Sequence, residues 1–334
     1  MVAKLRFIRT FTGFSGPIVS IVLHFVVTLC YIKRWDKATA VTVFPLWFWA
    51  ILGILIVTIA WFCVRNKFGI LIAAVWTVTA LVGADEIPGL LHTIQGKQLI
   101  KAHPQTHEGK QVLRVATINC RDRRPEALLE AKPYAPDIVF IQESPTGVEL
   151  NKIAKEFYGK DGRSAGGWKC GIIARGELKL IKNSTKPRFT HATLTLPDGR
   201  SIDLVSVHLK HAITRWDLWD RDCWKTHYEN RKVRRNEIVE ILTHVSKTHG
   251  GRQVIFGGDF NAPASDAVYS ILRHHFLDSY RAAGSGWGNT FYNRLPLLRI
   301  DQLWATPQLE PLNARAFPTR NTDHRLLVCD YKLN

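Results

Sequence analysis

Three long runs without a charged residue occupy the N-terminal quarter of this chain. They cover about residues 17–32, 41–64 and 68–84. Because roughly 20 apolar residues cross the hydrocarbon core of a bilayer, the second run is long enough by itself and the other two are close to the limit. We therefore predict an all-α membrane region over residues 1–84 with three transmembrane helices at these positions.

Two other interpretations of this region fit less well. Lys4, Arg6 and Arg9 precede the first run, as in a signal peptide, but no small-x-small cleavage pattern follows and two more runs come after it. A buried hydrophobic domain would not need three charge-free runs in succession. The distribution of Lys and Arg slightly favours an inside N-terminus, so we predict an integral membrane protein whose C-terminal domain is extracytoplasmic.

The rest of the chain is basic and has ordinary composition. The whole protein carries a net charge of +17, and residues 101–334 hold 36 Lys and Arg against 25 Asp and Glu. A basic surface suits nucleic acid, an anionic membrane or a phosphorylated small molecule, without choosing among them. The six cysteines form no Cys-x-x-Cys pair, so a zinc site is not expected. Residues 85–110, rich in Gly and Pro, are predicted to be a linker, and residues 111–334 a separate domain.

The stretch Gly257–Pro263 carries the densest chemical signal. It follows Gln253–Phe256, a short apolar segment typical of a buried strand. Two glycines would allow a tight exit from that strand. In extended backbone Asp259 and Asn261 would face the same side, where a carboxylate can take a proton from water and a carboxamide can donate to an oxygen gaining charge. The plain alternative is a polar turn.

Other apolar segments also end in polar residues. Asn119 follows Val112–Ile118, Glu143 ends Asp137–Glu143, His208 lies in Ile202–Lys210, Asp301 lies in Arg299–Trp304, and Asp323 and His324 precede Arg325–Val328. Mg²⁺ prefers one or two carboxylates and keeps waters for a substrate phosphate, which suits a glutamate at a strand end. Each such residue alone is more often a cap or a solvated side chain.

Taken together, these motifs resemble the endonuclease/exonuclease/phosphatase superfamily, which includes DNase I, exonuclease III and the neutral sphingomyelinases. The run Gly-Gly-Asp-Phe-Asn-Ala-Pro is similar to its signature, and the other motifs occur in the same order. The resemblance covers about residues 110–334. It implies an α/β fold, a four-layer α/β sandwich with two sheets face to face and helices outside.

The resemblance also implies a role for each motif residue. Glu143, Asn119 and Asp323 would bind Mg²⁺, with Mn²⁺ as the alternative metal. Asp259 would activate the attacking water, Asn261, His208 and His324 would stabilise charge on the phosphate, and Asp301 would orient His324. The resemblance does not extend to Arg121, because many nucleases of the family carry an acidic residue at this position.

A long helix is predicted over Arg221–Lys247 from apolar residues at helical spacing, with Val233 among those facing the core. The basic cluster Arg231–Arg235 on it fits either a phosphate-binding surface or a solvated face. Lys210 and His211 are expected to be solvated.

The function predicted from these observations is metal-dependent hydrolysis of phosphodiester bonds by a membrane-tethered nuclease. The alternative is a phospholipid head-group (sphingomyelinase-like) or small-molecule phosphodiesterase or phosphatase, which the membrane region favours. A non-catalytic binding protein with the same fold is a third reading, and the complete set of site residues argues against it.

Overall fold

The computed structural model describes residues 2–65, 67–96, 106–107, 109–211 and 215–333, and these divide into two compact units. The first unit contains the residues up to Ile87 together with Arg215–Tyr228 and Ser265–Ala267. The second unit contains the remaining residues. The division along the chain thus falls near the start of the predicted linker, part of which lies outside the described residues.

Four helices begin the first unit: α1 (Val2–Lys33), α2 (Thr39–Thr42), α3 (Leu46–Val64) and α4 (Lys67–Gly83). By length and composition α1 and α3 are able to cross a membrane, and α4 is a third candidate only if it forms one bent span with the helix that follows it. The second apolar run is broken before α3 because Pro45 lacks an N–H and disfavours helix at the residue before it.

Small and polar side chains hold these helices together. The Ser20 hydroxyl donates to the Gly53 carbonyl (2.9 Å) and accepts from the Trp76 indole N–H (3.0 Å). A Cβ on Gly53 would lie 2.0 Å from the Trp76 ring, so glycine lets the two helices approach. The outward faces expose large apolar residues, among them Phe25, Ile51, Phe62 and Ile70. Close packing through small residues and an apolar exterior are typical of helices in lipid.

The second unit is built from strands and short helices. The helices are α5 (Ile87–Ile94, within this unit from Pro88), α6 (Pro125–Leu129), α7 (Gly147–Tyr158), α8 (Arg221–Thr248, within this unit from Glu229), α9 (Ser270–Arg273) and α10 (Ser279–Ala283). The strands are β1 (Thr106–His107), β2 (Lys110–Asn119), β3 (Ile138–Gln142), β4 (Gly162–Gly167), β5 (Cys170–Arg175), β6 (Glu177–Thr185), β7 (Arg188–Thr195), β8 (Ser201–His208), β9 (Gln253–Asp259), β10 (Leu277–Asp278), β11 (Asp301–Ala305), β12 (Leu309–Phe317) and β13 (Leu326–Leu333).

The strands form two mixed sheets, and the predicted four-layer α/β sandwich is confirmed. One sheet has the order β12-β13-β2-β3-β5-β4, with β1 paired to β2, and the other has the order β10-β11-β9-β8-β7-β6. Alternate residues of each strand enter different cores, as the period of two requires. In β3, for example, Phe140 packs between the sheets, whereas Val139 and Ile141 pack under α6 and α7. The second sheet packs its outer face against α8.

Two glycines in β9 allow close approach, one to the facing sheet and one to the neighbouring strand β8. A Cβ on Gly257 would lie 2.1 Å from the Phe140 ring of the facing sheet, and a Cβ on Gly258, at φ 151°, would lie 2.1 Å from the Val207 carbonyl. The sequence placed these glycines at a tight exit from the strand, but β9 continues through them to Asp259. They permit close approach within the strand rather than a turn after it.

Part of the predicted linker is an ordered helix docked on the second unit. In α5, the His92 ring is hydrogen-bonded to the Gly284 carbonyl (2.8 Å), and the Gly286 amide donates to Thr93 Oγ1 and to the Gly89 carbonyl. The chain from Pro88 therefore belongs to the folded unit at this point.

The basic cluster on α8 is not a solvated face throughout. Arg231 and Arg234 are fully buried, and the Arg234 guanidinium donates to the carbonyls of Lys210 and His211 (3.3 and 3.0 Å). Val233, expected in the core, is instead exposed. The helix turns its charged side toward the backbone that follows β8 because that backbone needs donors for its carbonyls.

We predict that the buried ion pair between Arg114 and Asp330 stabilises the first sheet strongly. The two residues are cross-strand partners in β2 and β13, and the guanidinium binds the carboxylate through two bonds of 2.7 and 2.9 Å. Asp330→Ala would leave a buried charge without this partner, so the free energy of opening β2 should fall by about 3–5 kcal/mol.

Hydrogen exchange of the β2 amides measures this loss. The matched control is Asp198→Ala, which breaks the Asp198–Arg200 pair on the exposed turn between β7 and β8 and should cost at most about 1 kcal/mol. Equal protection of β2 in the two variants would contradict the prediction.

Candidate active site

Three predicted site residues lie side by side across neighbouring strands. His208 at the end of β8 is the parallel partner of Asp259 at the end of β9, and Asp259 is the antiparallel partner of Asp301 at the start of β11. Directly paired residues present their side chains on the same face of a sheet. The end of the second sheet therefore brings an imidazole and two carboxylates together, all of them buried.

His324 joins them from the segment that precedes β13. Its Nδ1 is hydrogen-bonded to the Asp301 carboxylate at 2.8 Å, and its Nε2 lies 4.0 Å from Asp259 Oδ2. The bond fixes the orientation of the imidazole and leaves Nε2 directed to the same place as the Asp259 carboxylate. The pairing of Asp301 with His324 is the arrangement that the sequence resemblance implied.

The Asp259 carboxylate is the centre of the hydrogen-bond network. It accepts bonds from the Asn119 amide (3.1 Å), the Asn261 backbone N–H (2.9 Å) and the Asn261 side chain (3.2 Å), and His208 Nε2 lies 3.7 Å away. Asn119 stands at the end of β2 in the other sheet. The two sheets thus share this carboxylate, which is only 2 % exposed.

Asn261 reaches Asp259 in a way that the sequence did not predict. Its backbone is left-handed (φ 50°) rather than extended, and its side-chain amide donates to both the Leu209 carbonyl (3.0 Å) and Asp259. Both amide hydrogens are therefore engaged within the protein. In this arrangement the side chain holds Asp259 in place, and its donation to a phosphate oxygen stays a prediction.

The three titratable groups at the centre of the site have different pKa values. Burial and the Asp301 carboxylate raise the pKa of Asp259 to about 7. Burial lowers the pKa of His324, but the charge and hydrogen bond of Asp301 outweigh it and raise that pKa to about 9. Burial and the nearby cations, Arg188 first, lower the pKa of His208 to about 3. Near neutral pH His324 is a cation, His208 is neutral, and Asp259 is close to its midpoint.

His208 has a further property that points to a ligand. Within the described part of the chain, neither of its buried ring nitrogens has a hydrogen-bond partner. A buried polar group without a partner costs free energy unless something outside the protein satisfies it. Its ring faces the cleft that Glu143 and His211 also line.

The residues predicted to bind metal are linked by a strained turn. The Arg121 amide donates to Asn119 Oδ1 (2.9 Å), the Asp122 amide donates to Glu143 Oε2 (2.8 Å), and Arg121 Nε lies 3.9 Å from Asp323 Oδ2. Arg121, Asp122 and Arg123 all have positive φ, and so does Glu143. Non-glycine residues in this conformation are costly and cluster at functional sites.

Two donor sets at this end of the sheets could hold a divalent cation. Asp259, Asp301 and His324 offer ligand atoms within 4.8 Å of one another. However, Asp301 and His324 are already bonded to each other, and a cationic imidazole is not a ligand. Glu143 and Asp323 are partly exposed carboxylates beside Asn119, and such oxygen donors suit Mg²⁺. We therefore favour the second set.

Several residues of the cleft were not found from the sequence. A cavity of about 550 Å³ lies beside Glu143 and His208, and its wall includes Trp168, Lys169 and Arg188. His211 is exposed, as expected, and its Nδ1 also lies 3.3 Å from Asn261 Oδ1. The glycines Gly166 and Gly167 before Trp168 were the available signal, because they mark a tight turn that places the following residues.

Trp168 is an exposed aromatic platform in this wall. It is 57 % exposed and has a left-handed backbone (φ 70°), and its amide donates to the Pro145 carbonyl (3.0 Å). The Arg123 guanidinium lies 4.7 Å from the centre of its ring. A bulky residue is held in this conformation only where its surroundings impose it.

Comparison with known proteins gives one family. The sequence profile of the Endonuclease/Exonuclease/phosphatase family matches residues 117–324, which span every motif residue discussed above. No curated protein matches the chain.

Solved structures show the same fold at low sequence identity. An endonuclease/exonuclease/phosphatase from Bacteroides vulgatus is 18 % identical, with a TM-score of 0.52 over 67 % of this chain and 100 % of its own. A protein of that description from Beutenbergia cavernae is 16 % identical, with a TM-score of 0.50 over 67 % of this chain and 72 % of its own. A conserved protein of unknown function from Enterococcus faecalis is also 16 % identical, with a TM-score of 0.50 over 66 % of this chain and all of its own.

We predict that metal binding depends on Glu143 rather than on the Asp301–His324 pair. Glu143→Gln removes a charged ligand, so the affinity for Mn²⁺ should fall at least about tenfold. Paramagnetic resonance of free Mn²⁺ in a titration of the full chain measures it. The control is Glu149→Gln in the same cleft wall, whose carboxylate is bonded to the Thr146 amide and hydroxyl.

The outcome also distinguishes the two donor sets. Unchanged binding in Glu143→Gln together with lost binding in Asp301→Asn would contradict the assignment and place the ion among Asp259, Asp301 and His324.

Proposed function

Because this chain belongs to the endonuclease/exonuclease/phosphatase family, whose members hydrolyse phosphoester bonds, we propose that it is a metal-dependent phosphodiesterase acting on nucleic acid. The observation that carries the proposal is the convergence of a buried carboxylate with a cationic and a neutral imidazole at one cleft. Asp259, His324 and His208 supply a base, a proton donor and a polar contact within one small volume. Phosphodiester hydrolysis by water needs these elements.

Asp259 is the group that activates the attacking water. Because its pKa is raised to about 7, part of the Asp259 population is ionised near neutral pH. That carboxylate accepts a proton more readily than an ordinary aspartate does. The Asn119 and Asn261 amides hold the carboxylate in one orientation, so it does not have to reorganise when the reaction begins.

His324 and His208 act on the phosphate. As a cation, His324 donates from Nε2 to a phosphate oxygen or to the leaving oxygen, and Asp301 keeps that ring charged and oriented. Neutral His208 has both ring nitrogens buried without a partner in the described residues, so a phosphate oxygen would satisfy its N–H. Mg²⁺ held by Glu143, Asp323 and Asn119 would neutralise a phosphate oxygen and the leaving group.

The chemistry of the cleft wall favours nucleic acid over a choline lipid. Trp168 offers a flat aromatic face, and Arg123, Lys169 and Arg188 place positive charge around it. A choline head group has no planar base to stack on this ring. A nucleotide combines a planar base with flanking phosphates, and base–aromatic stacking together with basic side chains is how proteins hold single strands.

The second candidate is a phospholipid head-group phosphodiesterase. The apolar exposed faces of α1 and α3 and their length support it, because they would place the chain in a bilayer. We propose on the same grounds that the protein is an integral membrane protein, with the catalytic unit on the extracytoplasmic side from the distribution of Lys and Arg.

A side-by-side hydrolysis assay tests the activity. The full chain in detergent, with Mg²⁺ or EDTA, should cleave DNA and leave sphingomyelin intact. Asp259→Ala and His324→Ala should abolish turnover while hydrogen exchange of the sheets stays unchanged, because each removes a reacting group without opening the core. Asp198→Ala and the exposed His274→Ala are the matched controls. Retained hydrolysis in either site variant would contradict the proposed mechanism.

The lipid result decides between the candidates. Metal-dependent cleavage of sphingomyelin with DNA untouched would replace nucleic acid by a head group as the substrate.

Trp168 provides a separate prediction on substrate recognition. We expect the chain to prefer a base-bearing single strand over an abasic strand of equal length by about tenfold in kcat/KM, since stacking contributes about 1–3 kcal/mol per base. Trp168→Ala should abolish the preference and Trp168→Phe should keep most of it. Trp287→Ala, a half-exposed tryptophan of the same unit, is the control. A preference that survives Trp168→Ala would show that the base is held elsewhere.

A further inference from the structure

Two tryptophans from the middle of the chain belong to the compact unit of the apolar helices. The segment 215–220, which we name the Trp loop, lies in that unit with the first turns of α8. Trp216 packs edge-on against Phe44, with ring centres 5.1 Å apart. Trp219 is 88 % exposed, the most exposed of the eleven tryptophans. Such an exposed indole offers a large apolar ring and a polar N–H to whatever lies outside the protein.

The Trp loop lies at one particular end of the helices. Phe44 stands in the connection between α1 and α3, directly before Pro45 and the first turn of α3. At the same end, Trp47 near the start of α3 donates to Glu86, which follows α4 (3.0 Å). The contact with Phe44 therefore sets the Trp loop beside the ends of the apolar helices.

Aromatic residues gather at this end. Phe44 stacks on Phe48 and contacts Trp49, and Trp35 is half-exposed in the same connection. Tryptophans concentrate where a membrane protein meets the lipid head groups, because the ring is apolar and its N–H is polar. Trp216 and Trp219 extend this group of aromatic residues from a distant part of the sequence.

The Trp loop is held rigidly by its own charges. The Arg215 guanidinium binds the carboxylates of both Asp217 and Asp220. The Trp224 indole donates to the Leu218 carbonyl (2.8 Å), and the His227 ring is bonded to the Arg215 carbonyl (2.9 Å). These bonds fix the backbone of the loop in a conformation that exposes Trp219. Insertion of this side chain into a lipid layer would therefore cost little conformational entropy.

We propose that Trp216 and Trp219 anchor the protein in the head-group layer of the bilayer that its helices span. The proposal rests on the proposed membrane insertion. Electrostatic attraction does not drive this anchoring, because the segments at this end of the helices hold six basic and six acidic residues in all. These segments are Lys33–Lys37, Asp85–Glu86 and residues 215–228. The partner is therefore a zwitterionic phospholipid interface, and the anchor should be insensitive to salt and to anionic lipid.

The anchor would give the enzyme a second attachment besides the helices. The Trp loop begins four residues after His211 of the cleft and leads directly into α8, whose buried Arg234 holds the backbone of His211. An attachment at this point would keep this part of the chain at the membrane surface.

Tryptophan quenching by brominated lipid tests the anchor. The full chain is inserted into phosphatidylcholine nanodiscs with EDTA present, using lipid with or without bromine on the upper acyl chain. If Trp219 lies in the interface, Trp219→Phe removes a quenched emitter and the quenched fraction of the emission falls. Trp287→Phe, the matched control from the catalytic unit, removes an emitter in water, so the quenched fraction should rise.

The sign of the change decides the proposal. A quenched fraction that is unchanged or rises in Trp219→Phe overturns it, and a chain that does not enter the nanodiscs overturns it together with the proposed membrane insertion. The expected fall should persist at high salt. The readout needs no turnover, so an inactive protein with the expected fall would refute the proposed enzymatic function and leave the anchor standing.

Discussion

The buried carboxylate of Asp259 is the point on which the rest of the site depends. It lies where the ends of two sheets meet, and amides from both sheets bind it. A buried charge is tolerated only where hydrogen bonds or opposite charges compensate it. Here the compensation is incomplete, because Asp301 repels it, and the pKa of Asp259 rises to about 7. The burial and the charge repulsion that make the ionised carboxylate energetically costly also let it take up a proton near neutral pH.

The close approach of the sheets makes that site possible. Gly257 lets Phe140 of the facing sheet pack where any side chain would collide, and Gly258 keeps β9 close to β8. A larger residue at Gly257 would separate Asn119 from Asp259, since they come from different sheets. The strained turn after Asn119 and the left-handed Glu143 are further costs concentrated at this end, and the large cores elsewhere in the sandwich support them.

The sequence predicted the fold and the motif residues because strand-end polar residues and family motifs are local signals. It misjudged Asn261, which reaches Asp259 through a left-handed backbone rather than strand alternation. It also predicted Val233 in the core, whereas Val233 is exposed and Arg234 is buried. At that turn α8 packs on backbone carbonyls and not on an apolar core. Trp168 and Trp216 escaped notice because their neighbours, Arg123 and Phe44, are set by tertiary structure and have no fixed spacing in sequence.

In the proposed mechanism, water activated at Asp259 attacks phosphorus in this cleft. Hydrolysis in water enriched with oxygen-18, followed by mass spectrometry of the products, tests it most directly. We expect one labelled oxygen in the phosphate product, none in the released alcohol, and no labelled product from Asp259→Asn. Label in the alcohol, or equal incorporation by the Asp259→Asn variant, would contradict it.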